Sequence, residues 1–358
     1  MNFKIKITPI KTIVFCLIFL NLLSLLSLYS SLHQAGVFKD KEIFYKQILW
    51  IIIAWIILII FSFINYRLYY DLSLLFYGIN LFLLLLVIFF GKKIMGAQRW
   101  LHIFGFSFQP SELSKLTTIL ILARFFSSQK DFLRGMLLPL FLIAVNTFFI
   151  FIQPDLGTAL IIILLFFIMG FLSSINKKYF LFLIILGILF LPFSWHLLKD
   201  YQKQRLLVFL NPNMDPLGAG YTIIQSKISI GSGKIVGKGF LSGTQNQFNF
   251  LPERHTDFIF TIIAEEWGLL GCIFLLFTYW LILKKILDRT KDLKDPFAFL
   301  VCGGISSLFF LHIFINMGMA LGILPVVGLP LIFLSYGGTH LVMSFVLLGI
   351  FFNICKKS

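Results

Sequence analysis

The sequence predicts an all-α, polytopic membrane protein, and three observations carry that prediction. Of 358 residues, 59% are hydrophobic and only 13% charged, where a soluble domain carries roughly a quarter charged. Phe alone contributes 45 residues. Apolar runs near the roughly 20 residues that cross a bilayer recur along the chain, separated mostly by short loops.

The runs define ten expected spans, at about 13–31, 47–65, 72–90, 109–126, 134–152, 156–173, 178–198, 258–283, 297–320 and 331–354. The first run is too long for the apolar core of a cleaved signal peptide and is read as a retained helix. Lys and Arg concentrate in alternate short loops, on the side that also holds Lys4, Lys6, Lys11, Lys356 and Lys357. That asymmetry puts both termini in the cytoplasm. The one long connection, residues 199–257 between the seventh and eighth helices, then faces outward. No internal repeat and no soluble catalytic domain is evident, so residues 1–358 read as a single transmembrane domain.

The net charge of +15 does not point to nucleic acid. The basic residues sit in short loops between apolar runs, where they set topology and touch anionic lipid headgroups. Cys16, Cys272, Cys302 and Cys355 lie in or at the end of apolar runs and read as packing thiols.

Polar residues that interrupt lipid-soluble sequence are the functional candidates. The first interruption is GAQRWLHIFGFSFQPSELSKL, residues 96–116. Pro110 suits a first helical turn, where its missing N–H is not needed. Glu112 then lies near the positive end of the helix dipole, and Lys115 shares its face. A buried ion pair that locks packing is one reading. The other is a cation aimed at an anionic ligand, joined by Arg99 and Trp100 from the preceding outer loop. Trp100 serves equally well as an interfacial anchor.

The second interruption is FIQPDLGTAL, residues 151–160. Asp155 reads as a helix cap or turn former. The alternative puts Gln153 and Asp155 in a polar cavity at the outer surface. The third is the long connection. YQKQRLLVFLNPNMDP, residues 201–216, mixes basic and apolar residues and reads as an amphipathic stretch on the outer leaflet. GAGYTIIQSKISIGSGKIVGKGFLSGTQNQF follows, residues 218–248. Gly-rich backbone with lysines such as Lys238 suits phosphate or sugar recognition, and a flexible spacer is the plainer reading. It is not a P-loop, because Gly233 and Gly237 are too close and Gly239 follows Lys238.

The fourth is LPERHTDFIFTIIAEEWG, residues 251–268, where six ionisable side chains meet the start of an apolar run. Asp257 at the junction reads either as a helix cap or as a general base, which must be fixed, reachable and tunable in pKa. Glu253, Arg254, His255 and Thr256 form its immediate sequence neighbourhood. Carried down a helix, Glu265 lies about 12 Å beyond Asp257 and about 80° round, while Glu266 points to the opposite side. Glu265 is therefore expected in the cavity of Asp257. Finally, residues 316–342 break an apolar region with Gly and Pro, and broken backbone at membrane depth must be buried or line a cavity. Asn316, Ser335 and Tyr336 are its candidate lining residues. These residues together predict a cavity open to the outer surface, suited to a ligand with phosphates and a polar part. Residue chemistry leaves transport and reaction both open.

GAQRWL, FQPSELSKL, QPDLGTAL, GSGKIVGKGFLSGTQNQFNFLPERHTDFIF, AEEWG and NMGMALGILPVVGLPLIFLSYGG resemble the SEDS family of rod-shape, division and sporulation proteins. They occur in family order from about residue 96 to 342, and the N-terminal helices match by hydrophobicity alone. Arg254 within PERHTDF looks more like the rod-shape branch. The resemblance implies a peptidoglycan glycosyltransferase of the bacterial inner membrane that polymerises lipid II at the outer face during cell-wall elongation. It implies Asp257 as the base that deprotonates the acceptor sugar 4-hydroxyl, which attacks the donor anomeric carbon and expels undecaprenyl pyrophosphate with inversion. It implies Lys115 as a candidate cation for that pyrophosphate. Where some relatives carry Arg eight residues before this lysine, the chain has Ser107, so Arg99 or loop lysines are expected to substitute. A class B penicillin-binding transpeptidase and the elongation machinery are the implied partners. A divalent cation, Mg or Mn, would suit the chemistry, although the sequence holds no evident metal-ligand cluster. The competing readings are a lipid II flippase and a non-catalytic scaffold that activates the transpeptidase.

Overall fold

The computed structural model describes the chain apart from residues 1, 35–36, 39, 95–96, 104–105, 129–132, 199, 217, 219, 249 and 358. Lys39 and Lys130, and residues 96 and 104–105 of the first polar stretch, lie outside the described residues. Helix dominates: α1 (Asn2–Leu32), α2 (Lys41–Phe63), α3 (Tyr66–Phe90), α4 (Pro110–Ser128), α5 (Leu138–Ile152), α6 (Leu156–Leu172) and α7 (Lys177–Leu197). The long connection carries α8 (Asp200–Leu210), α9 (Tyr221–Ser232) and the single turn α10 (Thr244–Gln247). Then come α11 (Ile259–Lys291), α12 (Pro296–Ala320) and α13 (Gly338–Lys357). A short pair, β1 (His33–Gln34) and β2 (Val37–Phe38), follows α1. An antiparallel ribbon of β3 (Lys92–Ile94), β4 (Ala97–Ile103) and β5 (Phe106–Phe108) leads into α4.

Each expected span coincides with one helix. Among the described residues, seven helices are long and apolar enough to cross a membrane: α1, α2, α3, the α5 segment from Gly135, α11, α12 and α13. α6 is equally apolar but shorter, at 17 residues. The ends are set by caps that satisfy orphan backbone N–H groups. Asn65, Asp155, Asn176 and Asp295 each accept a backbone N–H of the first turn of α3, α6, α7 and α12.

α4, α12 and α13 form the interior, while α2, α3 and α7 turn Phe and Leu side chains outward. α2 packs along α13, α1 along α11, and α3 and α12 against α4. Lipid is as apolar as Leu, so helices in it associate through close packing and interhelical hydrogen bonds. One such chain crosses three helices. The Asn80 amide donates to Ser114 Oγ at 3.0 Å and to Asn146 Oδ1 at 3.3 Å, and Asn146 donates to Thr118 Oγ1 at 3.4 Å. All four cysteines are buried free thiols.

Three expectations need correction. The last span starts later than expected: residues 321–337 are irregular and α13 begins at Gly338. Leu329, Leu331, Ile332, Phe333, Leu334 and Ser335 are nonetheless buried, so this backbone is shielded by protein. α11 is longer than the expected span and is broken at Gly268, whose φ of 65° leaves the helical region. The Gly-rich stretch is neither a spacer nor an open loop. It begins with α9, and residues 234–239 then dock into the break of α11. Lys238 and Gly239 N–H donate to the Glu265 and Glu266 carbonyls, each at 3.0 Å. Leu269 and Leu270 N–H donate to the Lys234 and Ile235 carbonyls at 3.0 and 3.1 Å. The broken helix therefore regains its backbone partners from the strap, as buried backbone requires. Glycine is needed because the two backbones touch. A Cβ on Gly237 (φ 88°) would lie 2.2 Å from the Glu266 carbonyl oxygen.

Gly237→Ala and Gly268→Ala should each lower stability by about 2 kcal/mol or more, because both positions combine positive φ with backbone contact. Gly231→Ala, inside α9 with nothing near its Cβ, should be stabilising by about 0.5–1 kcal/mol. Thermal unfolding in detergent checks this, and equal melting temperatures for all three variants would count against the docked strap.

Candidate active site

Residues 253–257 form a turn just before α11. Glu253 has a left-handed φ of 50°, and its carbonyl accepts the N–H groups of Thr256, Asp257 and Phe258. The Thr256 hydroxyl adds a 3.1 Å bond to Glu253 Oε2. Asp257 does not cap the helix: the N-cap position is Phe258 and no side chain bonds there. The carboxylate is thus left to other work.

The turn is clamped from outside through three consecutive carbonyls. The Tyr336 N–H donates to the His255 carbonyl at 3.0 Å. The Ser335 hydroxyl donates to the Thr256 carbonyl at 2.6 Å. The Asn316 amide donates to the Asp257 carbonyl at 2.7 Å and, with its second proton, to the Leu329 carbonyl at 2.7 Å. Arg254 anchors the other side. It is 5% exposed and its Nε donates to the Ser31 carbonyl at the end of α1, at 3.0 Å. His255 turns its ring toward Tyr336, with centroids 6.1 Å apart. Burial holds its imidazole below the ordinary pKa, against the raising pull of Glu253.

Asp257 lies over Gly328, where a Cβ would come 3.3 Å from Asp257 Oδ2. Gly328 also has φ 71°, so glycine suits both the backbone and the space. Burial and then the neighbouring Glu253 push the Asp257 carboxyl up, while Arg205, Arg99 and the Thr256 hydroxyl pull it down. The balance leaves it raised to about 6. A carboxylate poised there is partly protonated in mild acid and a competent base at neutral pH.

The two cations come from different elements. Arg205 lies on α8 and donates to the Val326 carbonyl at 3.3 Å, which fixes it to the same irregular segment that carries Gly328. Arg99 lies on β4. Its Nε donates to the Gln153 carbonyl at 3.3 Å, it bonds the Pro154 carbonyl, and it stands 3.8 Å from Asp155. Asp155 itself caps α6 and accepts from Thr158, Ser111 and Gln109. Gln153 donates to the Leu84 carbonyl at 2.9 Å. Gln153 and Asp155 therefore hold Arg99 and the helix end. Trp100 is half-buried on β4, opposite Lys92. Ser107 bonds His102 within the ribbon at 3.0 Å.

Four expected members lie elsewhere: Lys115 with Glu112, and Glu265 with Lys238. Lys115 is 2% exposed, bonded to Glu112 at 2.7 Å and to His312 Nε2 at 3.0 Å, with Glu112 also meeting His340 Nδ1 at 3.2 Å. It belongs to an interior cluster of α4, α12 and α13, and the cations acting on Asp257 are the two arginines. Glu265 is not in the Asp257 cavity. It accepts from Lys238 at 2.7 Å, Ser229 at 3.2 Å and the Gln245 N–H at 3.1 Å, which ties the strap to α11. Asp257 precedes the helix, so the helical angle between the two residues was never defined. Lys238 is taken up in the same pairing. Glu266 accepts from Ser30 of α1.

The sequence reading missed Arg205, His312 and His340. For the histidines a signal existed: an ionisable residue inside a span is a functional candidate by default. Arg205 had only its place in a basic, apolar stretch. Among the described residues no three His, Cys, Asp or Glu side chains cluster as metal ligands.

The fold and the clamped carboxylate define a class: a multi-pass helical membrane protein with a carboxylate held at one helix end. The chain belongs to the FtsW/RodA/SpoVE family, whose cell cycle protein model matches residues 10–358. It is 39% identical to the peptidoglycan glycosyltransferase MrdB of Escherichia coli K12, over 98% of this chain and 94% of that protein. It is 29% identical to the peptidoglycan glycosyltransferase RodA of Treponema pallidum, over 93% and 94% of the two chains. Among solved structures it matches a chain of a peptidoglycan synthase complex that coordinates polymerisation and crosslinking, with TM-score 0.82, 31% identity and 96% of each chain covered. The Thermus thermophilus rod shape determining protein RodA matches with TM-score 0.72 and 26% identity, over 96% of this chain and 95% of that one.

Asn316→Leu would leave two buried carbonyls unpaired, at about 1–3 kcal/mol each. A clear fall in melting temperature in detergent is expected. An unchanged transition would mean that the clamp contributes little.

Proposed function

We propose that this chain is a peptidoglycan glycosyltransferase that polymerises lipid II in cell-wall elongation, with Asp257 as general base. The observation that carries the reading is a carboxylate held through its own backbone, with its pKa moved to about 6 by burial and Glu253 against the pull of Arg205 and Arg99. The names of the relatives support the same chemistry. The Lys and Arg asymmetry supports a multi-pass protein of the bacterial inner membrane with both termini in the cytoplasm and residues 199–257 outside. Asp257 would then meet its substrate at the outer face.

In this mechanism the Asp257 carboxylate takes the proton of the acceptor sugar hydroxyl. The oxygen attacks the donor anomeric carbon from the face opposite the pyrophosphate, and the bond from that carbon to the pyrophosphate oxygen breaks. One displacement inverts the anomeric centre. The leaving group carries the developing charge, and Arg205 and Arg99 are the cations available to stabilise it. Glu253 keeps the base from becoming too weak by opposing the arginines. Thr256, Arg254, His255, Asn316 and Ser335 hold the turn, and Asp155 and Gln153 hold Arg99. A class B penicillin-binding transpeptidase is the proposed partner, in line with the synthase complex that matches this fold.

Asp257→Asn should fold normally, because the clamp uses carbonyls that Asn retains. Its polymerisation of lipid II should fall by roughly 10²-fold or more. In the wild type, turnover should rise as pH passes upward through about 6, because the base is the deprotonated form. Gel analysis of glycan length against pH, for both proteins, tests this. A variant that lengthens glycan like the wild type removes Asp257 from the role.

A further inference from the structure

The structure assigns to His312 a positioning role: it couples the interior Glu112–Lys115 ion pair to the backbone segment that walls Asp257. Its effect on turnover rests on the polymerase reading above. The argument begins with protons. A lysine ammonium has three donors and no acceptor. Lys115 Nζ lies 3.0 Å from His312 Nε2, so that nitrogen accepts. The imidazole proton is then on Nδ1, which lies 3.1 Å from the Pro330 carbonyl and donates to it. The hydrogen-bond partners thus define one neutral tautomer, with each nitrogen committed to a different part of the molecule.

The carbonyl next in line is held the same way. Asn316, one helical turn above His312 on α12, donates to the Leu329 carbonyl. Two side chains of one helix therefore hold two successive carbonyls, immediately after the Gly328 that touches Asp257. Asn316 reaches Asp257 as well, through its backbone. His312 has no such contact and acts only through Pro330. Its own position is set by Lys115, whose remaining anchor is Glu112, itself held by His340 at 3.2 Å. The ion pair that the sequence offered as a ligand site is, in this view, the foundation of the wall. A wall that slips changes the space over the Asp257 carboxylate, and displacements near 1 Å at a reacting centre lower rates by on the order of 10²-fold.

Two isosteric variants separate the two ends of the imidazole. His312→Asn keeps a donor near Nδ1 for Pro330 and drops the acceptor for Lys115. His312→Gln keeps the Lys115 end and frees the Pro330 carbonyl. The full-length protein with its transpeptidase partner is supplied with lipid II, and hydrogen–deuterium exchange is followed over residues 326–336. Positioning through Pro330 predicts that Asn, which keeps that bond but loses its anchor on Lys115, falls between wild type and Gln in turnover and exchange. It predicts that Gln loses turnover by on the order of 10-fold to 10²-fold, with KM little changed and faster exchange confined to that segment. Equal behaviour of the two variants, or a Gln protein closer to wild type than the Asn protein, overturns the proposal. A wild-type complex that makes no polymer refutes the polymerase reading instead, and the exchange comparison still decides this one.

Discussion

The arrangement depends on the clamp at three successive carbonyls, those of His255, Thr256 and Asp257. Backbone polar groups removed from water must find partners. Here the partners come from Asn316 on α12 and from Ser335 and Tyr336 in the irregular segment before α13. The segment needs support of its own, because residues 321–337 have no helix ladder. The Ser335 hydroxyl supplies part of it by also accepting the Leu331 N–H at 2.8 Å. Two non-helical pieces thus satisfy each other, and the catalytic candidate is carried on their shared seam. The site is rigid because the membrane offers its backbone few alternatives.

Charge is divided among separate places for the same reason. At the seam, Arg205 and Arg99 act through space on the Asp257 carboxylate, opposing Glu253. In the interior, Lys115 and Glu112 pair with each other and with His312 and His340, and His312 also reaches the Pro330 carbonyl. At the break of α11, Glu265 and Lys238 secure the strap. A buried unpaired charge is costly, so each group is committed locally. The seam combines a partly exposed carboxylate, its cations and an irregular wall.

Much of this was legible in the residues. The ten helical spans, the polar interruptions, the broken segment near 316–342 and the turn with Asp257 all came from composition, spacing and motif. Asn316 and Ser335 were named as lining residues and do meet Asp257, although through its backbone. The errors share one cause. Sequence distance on an ideal helix was used for Glu265, but Asp257 lies in a turn outside that helix. For Lys115 a packing ion pair and an outward cation were both open, and the structure has the buried pair, completed by His312, 197 residues away in the chain. The glycines at 231–239 suggested an anion cradle, yet two of them, Gly233 and Gly237, are small because the backbone of α11 lies against them.

Sequence by itself determined which segments are helical and lipid-soluble, because hydrophobic length and caps are local properties. It also determined which few residues could not be there for solubility alone. Only the tertiary structure decided which charges meet. Arg205 reaches the Asp257 site from α8, and Arg99 reaches it from a ribbon far earlier in the chain. Electrostatic and hydrogen-bond partnerships fall off over a few ångströms in space. They are therefore set by how helices and straps pack, which no local pattern encodes.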